Sequence, residues 1–369
     1  MTSSPALLAV DDLRTHFPIR RGLLRRQVGA VRAVDGVSFA IPKGRTLGLV
    51  GESGCGKTTV GRSVLRLVEP TSGSVRFAGL DVRGATSGEL RALRRRMQIV
   101  FQDPYGSLNP RMTVRAILEE GLLIHRMGSA AERLERMARA LERTGMARAA
   151  LDRYPHEFSG GQRQRIAIAR AIVLEPEFVV LDEPISALDV SIQAQVVNLL
   201  VELRDQLGLT YLFISHDLSI VEHVSDEVAV MYLGRIVERA AADTLCRRPL
   251  HPYTVALFSA VPSVDPRHRR RRLVLPGDVP SPSRPPAGCR FHPRCPLAES
   301  VCRALDPPAT TVAGQVVHCH VAARELAQFG NDATAASKRL GALMAAASGP
   351  QTAPPSGAGL SGAVEDRMP

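Results

Sequence analysis

The run TLGLVGESGCGKTT at positions 46–59 constrains this chain more than any other stretch. TLGLV, without polar alternation, reads as a compact buried strand, and KTTVGRSVLRL from Lys57 onward reads as a helix. Between them lies GESGCGKT, which satisfies the G-x-x-x-x-G-K-[ST] spacing in full and in the strand-before, helix-after setting that the spacing needs. Gly51, Gly54 and Gly56 let the backbone curl so that successive N–H groups face a phosphate. Lys57 supplies a compact cation for β- and γ-phosphate oxygens, and the Thr58 hydroxyl is suited to Mg²⁺. A strand feeding such a loop and helix implies an α/β domain with a parallel sheet.

Two further strands end in chemistry. FVVLDEP (178–184) is apolar up to Asp182, which is placed to hold Mg²⁺ through water. Glu183 follows, a carboxylate able to orient or deprotonate an attacking water. YLFISHD (211–217) ends in His216, a donor to a γ-phosphate at the carboxyl edge of the sheet, where ligands of α/β folds bind. EFSGGQRQR (157–165) is a second anion cradle: Ser159 and Gln162 have capping-box spacing, and Gly160 and Gly161 leave bare N–H groups at a helix start.

These stretches together resemble the ATP-binding subunits of ABC transporters over residues 7–260. FSGGQ matches the family's signature sequence, Gln102 in VFQDP its Q-loop, SALD (186–189) its D-loop and His216 its switch histidine. The resemblance implies a P-loop NTPase fold with a RecA-like core, an antiparallel β subdomain and a helical subdomain at about 105–170. It implies ATP and Mg²⁺ as ligands, with Glu52, Ser53, Cys55 and Thr59 joining the nucleotide loop, Gln102 joining Thr58 and Asp182 at the metal, and Phe17 stacking on adenine beside Val31. Catalysis would then rest on Glu183, His216, Gln102 and Lys57. Family members pair head to tail, so Ser159, Gly160, Gly161 and Gln162 would cap the partner's ATP, which answers why one chain carries two cradles. Two positively polarised surfaces close only around the anion, and hydrolysis releases them.

FQDPYGSLNPRMTV, HPYTVALFSAVP and the ending GCRFHPRCPLA…C…HCH are similar to the F-type ATPase of dipeptide/oligopeptide importers. That resemblance implies a second ABC ATPase, two membrane permeases and an extracellular substrate-binding protein as partners, with the chain peripheral on the cytoplasmic side of the membrane. Glutathione or nickel chelates are alternative cargoes, and a soluble ABC ATPase of translation or repair is the alternative from another class. Residues 103–113 would form the permease-docking surface, through exposed Tyr105, Leu108 and Met112.

Composition fits this reading. A net charge of +11 could indicate nucleic acid, but its Arg clusters lack interleaved aromatics, so a membrane surface is the better partner and no nucleic acid is expected. No apolar run reaches the roughly 18–20 residues of a membrane span, and MTSSPALLAVDD lacks the basic start of a signal peptide. Residues 7–41 read as short alternating strands around a basic loop at 18–30; Leu134, Met137 and Leu141 make one helical stripe; VAVMYLGRIVERA reads as a hairpin turning at Gly234. The chain thus divides into an ATPase domain at 7–260, a small Cys-bearing extension at 261–330 and a disordered Ala/Gly/Ser/Pro-rich tail at 331–369.

Cysteines raise two expectations. Cys55 beside Lys57 and a helix N-terminus should have a depressed pKa, or be an inert filler. Cys289, Cys295, Cys302 and Cys319 are separated by five, six and sixteen residues, which matches no common zinc or ferredoxin pattern. Their Pro-rich, core-poor setting favours a metal staple, and the importer resemblance implies a [4Fe–4S] cluster ahead of zinc and of plain thiols.

Overall fold

The computed structural model describes residues 6–22, 26–260 and 272–347. Strand β1 (Ala6–Arg21) pairs antiparallel with β2 (Arg26–Pro42), after which β3 (Thr46–Val50) starts a second sheet. Strands β4 (Ser72–Phe77) and β5 (Leu80–Asp81) return to the first pair and complete a four-stranded sheet in the order β2-β1-β4-β5. The basic segment does not open a loop across 18–30 as its charge suggests. The ladder runs on through Phe17↔Val31 and Ile19↔Gly29 to Arg21↔Arg26, because antiparallel pairing tolerates exposed arginines.

The central sheet adds β6 (Met97–Val100), β7 (Phe178–Asp182), β8 (Thr210–Ile214), β9 (Glu227–Tyr232) and β10 (Arg235–Ala241). Strands β9, β3, β8, β7 and β6 are neighbours in that order and parallel; β9 and β10 form the hairpin that turns at Gly234. Helix Lys57–Val64 packs in the core that β3 shares with the antiparallel sheet, through Val60 and Val64. Helices Val114–Ile124, Ala130–Arg143 and Gly160–Ile172 build the helical subdomain in a second core with Phe213 and Leu181. Ala130–Arg143 begins at a Ser129–Glu132 capping box and buries Met137 and Leu141, with Leu134 at the rim. Leu108 is 1% exposed and belongs to this core, with Met112 packed against it. Two of the three apolar side chains expected to face a partner pack inward instead; the side chain of Tyr105 lies outside the described residues.

The C-terminal extension continues the central sheet. Strands β11 (Ala309–Val312) and β12 (Gln315–His318) form a hairpin whose inner strand pairs with β10. Buried Glu238 of β10 accepts the backbone N–H groups of Leu250 and His251 and the Gln315 amide, which ties β10, β12 and the start of helix Pro252–Ser259 together. The extension also reaches the first sheet: Arg290 bonds both the Leu233 carbonyl and the buried Asp35 carboxylate, and Arg32 donates its N–H to Pro282 O at 3.0 Å.

The tail expectation is corrected in part. Ala333–Ala347 is a helix, with Ala336, Leu340 and Met344 at four-residue steps and fully buried against the extension and helix Pro252–Ser259. Alanine-rich composition, read as low complexity, is also the composition with the highest helix propensity. Residues 348–369 lie outside the described residues. Among the described residues, no helix is long and apolar enough to cross a membrane.

Candidate nucleotide site

The loop after β3 is shaped by glycines that nothing else can replace. At Gly56, φ is +110° and a Cβ would sit 2.0 Å from Ala33 O; at Gly51, φ is +152° and a Cβ would sit 2.2 Å from Met231 O. The loop therefore wraps tightly over β9 and β2 before Lys57 starts its helix. Lys57 is buried, and its Nζ donates to Gly51 O at 2.8 Å and Glu52 O at 3.2 Å, so its cation is held at the loop it serves. Cys55 is 4% exposed, and burial pushes its thiol up against the opposing pull of Lys57. Of the two expectations for Cys55, burial favours the inert filler, because desolvation outweighs one cation.

One residue on from Lys57, Thr58 Oγ1 donates to Asp182 Oδ1 at 2.8 Å. Asp182 closes β7 fully buried, and burial pushes its carboxyl up while the Thr58 hydrogen bond pulls it down. Glu183 takes φ +47°, an uncommon value for a residue with a side chain, with its N–H donated to Ile214 O. This turn projects its carboxylate beyond the sheet edge. There Oε2 accepts from Gln102 Nε2 at 2.9 Å and lies 3.2 Å from Nδ1 of exposed His216.

A cleft of about 510 Å³ brings Ser53, Gly54, Gly56, Lys57, Thr58 and Thr59 together with Gln102, Glu183 and His216. Ala33 of β2 completes its wall, a residue whose type carries no chemical signal in the sequence. Gly51, Glu52, Cys55, Asp182 and Phe17 are not part of that lining. Phe17 is 41% exposed on β1, directly across from Val31. The oxygen donors Thr58 and Asp182, with the Gln102 amide nearby, suit a hard cation that keeps some of its waters, as Mg²⁺ does.

Ser159, Gly160, Gly161 and Gln162 do not line this cleft. Their helix starts as its spacing predicts: Ser159 Oγ accepts the Gln162 N–H at 3.3 Å, and Gln162 Oε1 accepts the Ser159 N–H at 3.0 Å. Gly161 passes so near the helix Val190–Leu207 that a Cβ would meet Ile192 Cγ2 at 2.6 Å. The exposed Ser159 end is left open toward solvent.

The four clustered cysteines are all free, with Cys302 and Cys319 buried and Cys289 and Cys295 half-buried. They share one neighbourhood: burial first, with Cys289 and Cys302 adding to it, pushes the Cys295 thiol up to about 12. Yet among the described residues no three His, Cys, Asp or Glu side chains are placed to hold a metal ion. Cys319 Sγ instead caps the helix His320–Gln328 by accepting the Ala322 N–H at 3.4 Å. The expected ligand set is therefore not assembled, although the thiols are gathered.

Comparison with known proteins places these features. A family model described as ABC transporter matches residues 34–186, and one described as oligopeptide/dipeptide transporter, C-terminal region, matches residues 237–302. The chain is 52% identical over 319 residues to the Bacillus subtilis oligopeptide transport ATP-binding protein AppF, covering 85% of this chain and 97% of that one. It is 49% identical over 318 residues to the Escherichia coli dipeptide transport ATP-binding protein DppF, covering 86% and 95%. Among solved structures it superposes on the dimeric ATP-binding cassette MJ0796 bound to ADP and Pi, with TM-score 0.57 and 25% identity over 64% of this chain and 98% of that one. CbiO1 from Clostridium perfringens gives TM-score 0.56 at 29% identity, over 65% and 90%.

Proposed function

The chain belongs to the ATP-binding subunits of ABC transporters, in the oligopeptide/dipeptide importer family, and on that premise we propose how its residues divide the work. It binds and hydrolyses ATP to energise peptide uptake. The observation that carries the assignment of roles is the Glu183 carboxylate, held by Gln102 and His216 at the mouth of the phosphate cleft.

In this reading the N–H groups from Ser53 to Thr59 cradle the β-phosphate, and Lys57 moves from the Gly51 and Glu52 carbonyls to the β/γ oxygens. Thr58, Asp182 and Gln102 would hold Mg²⁺, which would offset charge on the phosphate oxygens. Glu183 orients the attacking water and draws its proton, while His216 donates to the γ-phosphate. Phe17 and Val31 flank the adenine. The signature residues Ser159 to Gln162 reach the γ-phosphate of a partner ATPase; their absence from their own cleft and the open helix start support that placement.

The domain division 7–260, 261–330 and beyond remains the working one, with 333–347 now helical. Further partners are two permeases and an extracellular binding protein, with the subunit peripheral on the cytoplasmic side. A four-cysteine iron–sulfur cluster is the finer reading of the extension. Its one support is the gathering of the four thiols, which face one another closely enough for Cys302 to act on Cys289, and for Cys289 and Cys295 to act on Cys319, although as placed they do not surround a metal. Broad visible absorption of anaerobically purified protein, lost in Cys295→Ser, supports it; iron-free protein removes it.

The functional test is reconstitution of the chain with its partner ATPase and permeases in proteoliposomes. Labelled dipeptide presented on the binding protein should accumulate only with Mg-ATP inside or outside on the ATPase face. Accumulation that ignores ATP contradicts the assignment.

A further inference from the structure

Glu52 of the phosphate loop is anchored by residues that lie more than two hundred positions downstream. Its N–H donates to Tyr253 Oη at 2.9 Å, and its carboxylate accepts from Arg294 Nη1 at 2.7 Å. Its carbonyl accepts from Lys57 Nζ, the cation meant for the nucleotide. Arg294 is only 10% exposed, and Glu52 is partly covered, so this ion pair is shielded from water far better than a surface pair. The segment that carries Arg294 is itself fixed. Phe291 is buried edge-on against Tyr232 and beside Tyr253, and Arg290 locks onto Asp35 and the Leu233 carbonyl of the β9–β10 turn.

A carboxylate at this position is a liability. It sits in the loop that must receive a polyphosphate, and any uncompensated negative charge there opposes the ligand at short range. Burying one member of an ion pair without the other is also costlier than having neither. The guanidinium from the extension removes both problems, and with Tyr253 it orients the backbone that presents Lys57.

We propose that Arg294 is a positioning residue of the nucleotide site: from the C-terminal extension it neutralises and orients Glu52, so that the extension sets the affinity of the phosphate loop for ATP. The inference rests on the reading of this cleft as the ATP site.

Displacement of a fluorescent ATP analogue by Mg-ATP, on the full chain, tests it. Arg294→Ala should weaken ATP binding about tenfold, which corresponds to about 1.4 kcal/mol, with kcat at saturating ATP nearly unchanged. Arg294→Lys, which keeps the charge, should stay within about threefold of the parent. Adding Glu52→Gln to Arg294→Ala should restore most of the lost affinity, because no unpaired carboxylate then remains; loss of packing alone would not be rescued this way. If Arg294→Ala does not fold, Arg294→Gln, which keeps most of the volume, replaces it in the same pair of measurements. Parental affinity in the charge-removing variant, or no rescue by Glu52→Gln, overturns the proposal. Failure of the unsubstituted chain to bind ATP would instead overturn the reading of the cleft.

Discussion

Thr58 and Asp182, 124 residues apart in sequence, meet in a 2.8 Å hydrogen bond at the wall of the phosphate cleft. The two oxygens assigned to Mg²⁺ are thus side by side, one at the start of a helix and one at the end of β7. Because Asp182 is fully buried and its carboxyl is pushed up by burial, a cation is the partner that makes its charge tolerable. Asp182→Asn should therefore lower Mg-dependent hydrolysis by about a hundredfold or more and shift the Mg²⁺ titration to higher concentration. ATP binding measured in EDTA should survive. An unchanged Mg²⁺ midpoint contradicts the assignment.

Cys55 should be inert. Its thiol is buried and its pKa raised, so little thiolate exists at neutral pH and no reagent reaches it. Peptide mapping after maleimide treatment of the native protein should find Cys55 unmodified until denaturant is added. Rapid labelling that Mg-ATP prevents would show that the loop opens enough to expose the sulfur.

The parts of the site visible in the sequence are those written in consecutive residues. GESGCGKT, the apolar run ending in Asp182 and Glu183, and the Ser159–Gln162 capping box each carry their geometry locally, so spacing alone locates them. Arg294 and Tyr253 are invisible that way. Their link to Glu52 exists only once the extension has packed on β9 and β10, and neither residue type announces a phosphate loop. Leu108 misleads for the opposite reason: prolines on either side read as an exposed loop, whereas the helical subdomain closes over it. For Cys55 the pull of Lys57 is legible in the sequence and the depth of burial is not.

Stability should fall with acid through His251. The ring is buried, its Nδ1 accepts the Tyr253 N–H at 3.0 Å, and burial pushes its pKa down to about 3. An unfolded histidine titrates near 6.5, so between those values the unfolded chain binds a proton that the folded chain refuses. The contribution is whole above about pH 6.5 and is lost as pH falls, by roughly 2 kcal/mol at pH 5. Buried Glu238 has its pKa raised by burial and acts with the opposite sign, so the comparison is made between variants rather than on the whole curve. His251→Asn, which keeps an acceptor at the helix start, should show a smaller drop in melting temperature between pH 7 and pH 5. Parallel curves for the two proteins contradict this role.

In the proposed mechanism Glu183 performs the step that consumes ATP, and the hydrolysis rate of Glu183→Gln reports on that role. The substitution keeps the shape of the side chain and an acceptor for Gln102 Nε2, while removing the charge needed to draw a proton from water. Measured with the partner ATPase present, the variant should bind Mg-ATP with parental affinity, accumulate the closed dimer and hydrolyse about 10²–10⁴-fold more slowly. Hydrolysis at the parental rate would mean that another group activates the water.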